Sequence, residues 1–367
     1  MSMMTSSPYK PLVFVTGASG YIGYGVVYQL LEAGYRVRGA ARNTKVDRLN
    51  LALKKYVNEG LFEAVEIPDI ASGDLKKILA GADAVIHTAA PLIGKSHAEV
   101  AFRTAVEGSL HVLEEGYKLG IKRFAVTGSV ASFPSSGPFG DDDWNTLTKE
   151  EAIESNNPRT IYLVQKKVGE QAVREFSKEH PETRIAIFNP PYVYGPFSPG
   201  FQHILGSQWK DQLAAGTRPL STAGQIYGLL EGEKANNFAA LQPVPYVDIR
   251  DVAKVHIAAL QLDHEVPEPL NAPRLLVVSP YLPKFGESLE VIRKERPSLE
   301  GRLVRLEGVE EVKGGRDLKE FDEVKTGLKK IEEVLGIRED EYKTFRETIL
   351  DTVDSLIALE GFNWGEI

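Results

Sequence analysis

The segment Gly17-Ala-Ser-Gly20-Tyr-Ile-Gly23 constrains this chain more than any other. It stands between the apolar run Leu12–Val15 and a helical stretch that ends at Ala33, with Gly34 as its stop. A short apolar run followed by glycines and then a helical period reads as strand, turn and helix. Each glycine meets a different demand. The first allows a tight turn, the second lets backbone approach a pyrophosphate, and the third lets the helix pack close to the strand. The free N–H groups that open the helix then face the anion. Glycines can serve packing alone, but a strand before them and a helix after them is the context a dinucleotide site requires.

The same alternation continues. Strand-type segments fall at Arg36–Arg42, Ala64–Ile67, Ala82–His87, Arg123–Ser129 and Arg184–Asn189, with helical stretches at Asp74–Leu79, Ala98–Leu119 and Tyr162–His180. Such βαβ units predict an α/β fold, a Rossmann-type doubly wound parallel sheet covered on both faces. After Asn189 the texture changes, because Pro190, Pro191, Pro196 and Pro199 interrupt any clean period. A helix returns at Val247–Leu260, a strand at Leu275–Ser279 and an amphipathic helix at Tyr342–Leu359. The expected division is a cofactor-binding domain over residues 1–190, rejoined by 246–280, with a smaller substrate lobe from 191–245 and 281–367.

Composition narrows the chemistry. A net charge of −8 over 367 residues, with no basic block, speaks against a nucleic-acid partner. The absence of cysteine removes disulfides, thiolate nucleophiles and thiolate metal sites. The seven histidines show no His-Glu-x-x-His spacing, and neither a phosphate loop of the Gly-x-x-x-x-Gly-Lys type nor a Gly-x-Ser-x-Gly elbow occurs. No metal is expected. No apolar run approaches the roughly 18 residues needed to span a bilayer, and Met1–Lys10 lacks the core of a signal peptide. A cytoplasmic monomer or homodimer without a membrane partner is expected.

The end of the second strand reads Ala40-Ala41-Arg42-Asn43-Thr44-Lys45. An NAD site usually carries a carboxylate there for the ribose hydroxyls, whereas an arginine suits a 2′-phosphate. Arg42, with Lys45 adding charge, points to NADPH/NADP+. Tyr162 and Lys166 lie four apart, hence on one face of a helix. A free phenol, with a pKa near ~10, is a poor acid at neutral pH, and a fixed ammonium nearby lowers that value. Tyr162 can then pass a proton to a carbonyl oxygen while hydride arrives at carbon. Of the 14 tyrosines only Tyr162 has lysine at plus four. Ser129, at the end of the fifth strand, can hold the same oxygen, with Ser132 as its rival.

These residues resemble the extended short-chain dehydrogenase/reductase family, close to dihydroflavonol reductases and the fungal aldehyde, ketone and methylglyoxal reductases. His87-Thr-Ala-Ala-Pro91, Asn189-Pro-Pro-Tyr-Val-Tyr-Gly-Pro-Phe197 and Val247-Asp-Ile-Arg-Asp-Val-Ala253 carry the likeness further. Gly128 stands where the family usually has a serine. The resemblance implies reduction of an aldehyde or ketone to an alcohol, with Ser129, Tyr162 and Lys166 catalytic. It implies cofactor contacts from Gly17, Ser19, Gly20, Tyr21, Ile22 and Gly23. Asp69 and Ile70 would lie beside the adenine, Thr88, Ala89 and Ala90 under the nicotinamide ribose, and Pro190 and Val193 beside the nicotinamide, with Thr127 also among the cofactor contacts. Substrate walls would come from Pro91, Leu92, Phe133 and Tyr192. A nucleotide-sugar epimerase or dehydratase on the same fold, which needs NAD and polar contacts for a diphosphate sugar, is disfavoured by Arg42 and the apolar walls. A non-catalytic NADPH-sensing regulator would have little use for the Tyr162–Lys166 pair.

Overall fold

The computed structural model describes residues 10–90, 93–94, 97–135, 137–232, 245–260, 270–281, 285–305 and 322–366. Strands and helices alternate through the first half: β1 (Leu12–Thr16), α1 (Tyr21–Glu32), β2 (Arg36–Ala41), α2 (Lys45–Ala52), α3 (Lys54–Asn58), β3 (Phe62–Glu66), α4 (Lys76–Leu79), β4 (Ala84–His87), α5 (Ala98–Lys118), β5 (Arg123–Thr127), α6 (Lys149–Ser155), α7 (Pro158–Glu179) and β6 (Arg184–Asn189). The second half holds β7 (Tyr192–Tyr194), α8 (Phe201–Leu205), α9 (Trp209–Ala214), α10 (Ala223–Gly228), β8 (Tyr246–Asp248), α11 (Ile249–Leu260), β9 (Asn271–Leu276), α12 (Phe285–Glu295), α13 (Asp322–Leu335) and α14 (Phe345–Glu360).

Among the described residues the main sheet has seven strands in the order β3-β2-β1-β4-β5-β6-β9. All its pairings are parallel. This is the doubly wound Rossmann arrangement. The chain order reverses between β1 and β4, and that switch point opens a crevice at the C-terminal strand ends. The period of two within β1 explains its uniform burial. Val13 and Val15 pack into the cluster that contains Val26, Val27 and Val252 of α1 and α11. Phe14 faces the opposite layer, with Val112 of α5 and Val173 and Phe176 of α7.

Several boundaries differ from the sequence expectation, three of them near the candidate site or the second lobe. Helix α7 begins four residues before Tyr162, because the Asn157 side chain accepts from Arg159 N and Thr160 N and Pro158 fills the first turn. Tyr162 is therefore held inside a helix rather than at its fraying end. The segment 246–248 is a strand, paired in parallel with β7, before α11 begins. Three residues are too few to leave a period. Strand β9 starts at Asn271 instead of Leu275 and takes in Arg274.

The proline-punctuated segment after β7 is stitched to the first helix, α1. Tyr21 Oη donates to Gly195 O at 2.6 Å and Tyr24 Oη to Pro199 O at 2.8 Å. One buried cluster runs from Val13 through Trp209 and Ile226 to Leu359, so the lobe shares its core with the cofactor half. Helix α13 packs on β9 and α11. That part of the expected lobe, residues 322–335, thus lies against the main sheet.

Candidate active site

The glycine turn joins β1 to α1 at the switch point. Gly17 adopts φ +67°, a conformation that L side chains rarely take. A Cβ on Gly23 would fall 2.1 Å from Gly17 O and 2.7 Å from Thr88 Oγ1. Only glycine lets α1 approach the turn so closely. Helix α1 opens at Gly20 without a side-chain cap, so its first N–H groups are left for something else. A Cβ on Gly20 would meet only Gly17 O within contact range, at 3.2 Å. This cradle of bare backbone at an uncapped helix start fits a dinucleotide pyrophosphate.

The next wall is the segment after β4, held from beneath. Thr16 Oγ1 accepts from Thr88 N at 3.1 Å and Ala89 N at 3.2 Å. With both lone pairs used, its proton goes to His87 Nδ1, 2.9 Å away. That assigns the imidazole proton to Nε2, which faces Ser109 Oγ at 3.3 Å. The neutral form is required here. Burial, with the Lys166 ammonium adding to it, pushes the His87 imidazole down to about 4. The field of Lys166 therefore reaches the end of β4.

Ser129 follows β5 after one intervening residue, Gly128, and caps the 3-10 turn Val130–Ser132. Its Oγ accepts from Ala131 N at 3.2 Å, which leaves its own proton free to donate. Asn145 Nδ2 donates to Ala131 O at 2.8 Å and to Leu163 O at 3.1 Å. One amide thus ties the turn after Ser129 to the helical turn after Tyr162. Lys166 Nζ lies 6.0 Å from the centre of the Tyr162 ring. The neighbouring Lys167 is committed elsewhere, to the carbonyls of Asn145 and Leu147. Ser132 is wholly buried; its Oγ donates to Glu170 Oε2 at 2.8 Å and accepts from Arg274 Nη2 at 2.7 Å. Of the two serines, only Ser129 keeps a hydroxyl proton to offer.

The remaining expected residues fall unevenly. Arg42 is exposed beyond the end of β2. Lys45, expected to add charge beside it, instead donates to Ile204 O at 2.9 Å, and burial lowers its pKa. It neutralises the C-terminal carbonyls of α8, where the positive charge is also favoured by the helix dipole. Asp69 is exposed, its carboxylate accepting from Ala71 N at 3.0 Å and Ser72 Oγ at 2.8 Å. Ile70 is half-buried against α5. Thr127, expected among the cofactor contacts, sits 2.8 Å from His256 Nε2. His256 Nδ1 must donate to Val252 O at 2.7 Å, so the Thr127 hydroxyl spends its proton on α11. Phe133, expected as a substrate wall, is buried, stacked on the Arg274 guanidinium at 3.6 Å and packed edge-on against Phe139. Tyr192 is exposed and stacks on Tyr194, while Pro190 and Val193 are buried beside it. Pro91 and Leu92 lie outside the described residues.

Sequence reasoning missed the polar cluster behind Ser129. Glu170 is 3% exposed and Arg274 wholly buried, with Arg274 Nε 3.1 Å from Glu170 Oε2. Glu170 follows Tyr162 and Lys166 at spacings of eight and four on one helix, and that repeat was a readable signal. A lone arginine ahead of the apolar run Leu275–Val278 was another, since a buried charge demands a partner. Among the described residues no group of three or more His, Cys, Asp or Glu stands ready to hold a metal. No described helix is long and apolar enough to cross a membrane.

The family model that matches this chain, over residues 13–272, is described as the NAD dependent epimerase/dehydratase family. An uncharacterized oxidoreductase of Schizosaccharomyces pombe is 35% identical, over 78% of this chain and 83% of its own. The NADPH-dependent methylglyoxal reductase of Saccharomyces cerevisiae is 27% identical, over 95% and 99%. Among solved structures, Gre2 of Candida albicans in complex with NADPH is similar with a TM-score of 0.75 at 26% identity, covering 95% of this chain and 99% of that one.

Proposed function

This chain belongs to the NAD dependent epimerase/dehydratase family, and within it we propose an NADPH-dependent carbonyl reductase that converts an aldehyde or ketone to an alcohol. The observation that carries this reading is the bridge made by Asn145, which holds the Ser129 turn against the helical turn of Tyr162 while Lys166 follows one turn along. NADPH is favoured over NADH by Arg42 at the end of β2, with no carboxylate in the Ala40–Lys45 segment. Two similar proteins support it, one named as an NADPH-dependent methylglyoxal reductase and one solved with NADPH.

Gly17, Gly20 and Gly23 would hold the pyrophosphate, Arg42 the 2′-phosphate, and Thr88, Ala89 and Lys166 the nicotinamide ribose. NADPH bound there supplies a hydride to the carbonyl carbon. The protein's own part is to place the carbonyl and manage its proton. Ser129 donates its free hydroxyl proton as a hydrogen bond to the substrate oxygen. Tyr162 gives its phenolic proton to that oxygen as negative charge develops on it, and the Lys166 ammonium stabilises the phenolate left behind. His87, kept neutral, maintains the Thr16 bonds that shape the ribose wall.

The test is nicotinamide absorbance during incubation with a panel of aldehydes, α-dicarbonyls and aryl ketones, NADPH and NADH in parallel. Turnover with NADPH is expected, and Tyr162→Phe is expected to lose about 10²- to 10⁴-fold in kcat, the usual contribution of a positioned general acid. Near-full turnover by Tyr162→Phe refutes the assignment of the acid. No turnover with either cofactor, in protein that binds NADPH, refutes the reductase.

A further inference from the structure

The cluster behind Ser129 has more order than a buried ion pair needs. Glu170 Oε1 accepts from Ser129 N at 3.0 Å. Glu170 Oε2 accepts from Ser132 Oγ and Asn189 Nδ2, both at 2.8 Å, and from Arg274 Nε at 3.1 Å. The carbonyl of Ser129 is held as well, by Asn189 Nδ2 at 3.1 Å. Arg274 is fixed in turn. Its Nη1 donates to the carbonyls of Gly140, Asp141 and Asp143, and its guanidinium stacks on Phe133 at 3.6 Å and Trp144 at 3.7 Å.

We propose that Glu170 and Arg274 are positioning residues that set the distance between the Ser129 hydroxyl and the Tyr162 phenol; this rests on the reductase reading above. Glu170 lies on α7, the helix that carries Tyr162 and Lys166. Its grip on the Ser129 N–H makes that helix the ruler for both groups that must meet one substrate oxygen. Arg274, on β9, pairs with the carboxylate and orients it in a dry site, where a charge without a partner is costly. Gly128 belongs to the device. A Cβ there would fall 2.6 Å from both Glu170 Oε1 and Asn189 Nδ2. Without a side chain at this position, the carboxylate can close on Ser129.

Two variants test this: Glu170→Gln, which removes the charge, and Gly128→Ala, which keeps both charges and displaces the carboxylate. If Glu170→Gln does not fold, Gly128→Ala carries the test. The first readout needs no turnover. Amide hydrogen exchange of the 128–133 segment, measured without cofactor, should quicken in the variants while that of 17–23 stays unchanged. In the NADPH assay kcat should fall about 10- to 100-fold, the cost of misplacing a group by about an ångström, with the Kd for NADPH held within about 2-fold. In a Ser129→Ala background the same substitution should cost less than about 2-fold more, because residues acting as one unit are non-additive. Unchanged exchange, or a full multiplicative loss in the Ser129→Ala background, overturns the positioning role. Quickened exchange with Ser129→Ala at full kcat overturns the reading of Ser129 itself, and the proposal falls with it.

Discussion

Replacing Asp251 by asparagine should stabilise this protein at alkaline pH and do less at acid pH. The side chain is 4% exposed on α11, and its Oδ2 accepts from Lys343 N at 2.9 Å. Burial, reinforced by the Asp248 carboxylate, pushes its carboxyl up to about 7. The unfolded value is near ~3.9. Because the folded pKa is raised, the native state holds a proton that the unfolded chain has released, and stability falls as pH rises through this window. A rise of about three units is worth about 4 kcal/mol at most, and about 2 kcal/mol of it develops between about pH 5.5 and 8.5. Asparagine does not titrate and keeps an acceptor for Lys343 N. The Tm of Asp251→Asn should therefore gain on the wild type by about 2–4 °C more at about pH 8.5 than at about pH 5.5, given the small Tm response of a chain this long. Differential scanning fluorimetry at both values measures it, and the difference cancels every other titrating group. An equal Tm gap at the two pH values would refute the buried neutral carboxyl.

The two serines should separate cleanly. Ser129→Ala should lower kcat at unchanged Tm, whereas Ser132→Ala, which orphans part of a buried network, should cost about 1–3 kcal/mol of stability in denaturant titration. Arg42→Ala should raise KM for NADPH by about 10-fold or more and leave KM for NADH nearly unchanged, since the lost contact is a charge-assisted one to the 2′-phosphate. Equal effects on both cofactors would remove Arg42 from the phosphate site. His87 and His256 are both buried and pushed down to about 4. A depressed histidine pKa means that the unfolded chain takes up the proton first. Tm should accordingly fall as pH drops from about 6.5 toward 4, and His256→Gln should flatten part of that acid limb.

Much of this was legible in the sequence, for identifiable reasons. Strand, glycine turn and helix at Leu12–Glu32 depend on local rules, and the structure forms them where the residues place them. The Tyr162 and Lys166 spacing needed only helical geometry. Boundaries were lost where the deciding groups lie outside the period: Asn157 and Pro158 start α7 ahead of any amphipathic signal, and β8 is three residues long. Lys45 reads as a phosphate partner until α8 arrives from about 160 residues away to claim its ammonium. Phe133 reads as a substrate wall, and only the fold shows that Arg274 stacks on it.

Sequence alone determined the alternating α/β plan, the bare backbone of the Gly17–Gly23 turn and the phenol and ammonium on one helix face, because each depends on neighbours within one or two turns. Tertiary structure alone decided which serine keeps a proton to donate, which basic residue stays exposed beyond β2, and that a carboxylate on α7 grips the end of β5. Those outcomes depend on hydrogen-bond partners 38 to 159 residues apart, and a buried donor or acceptor takes whichever partner the fold delivers.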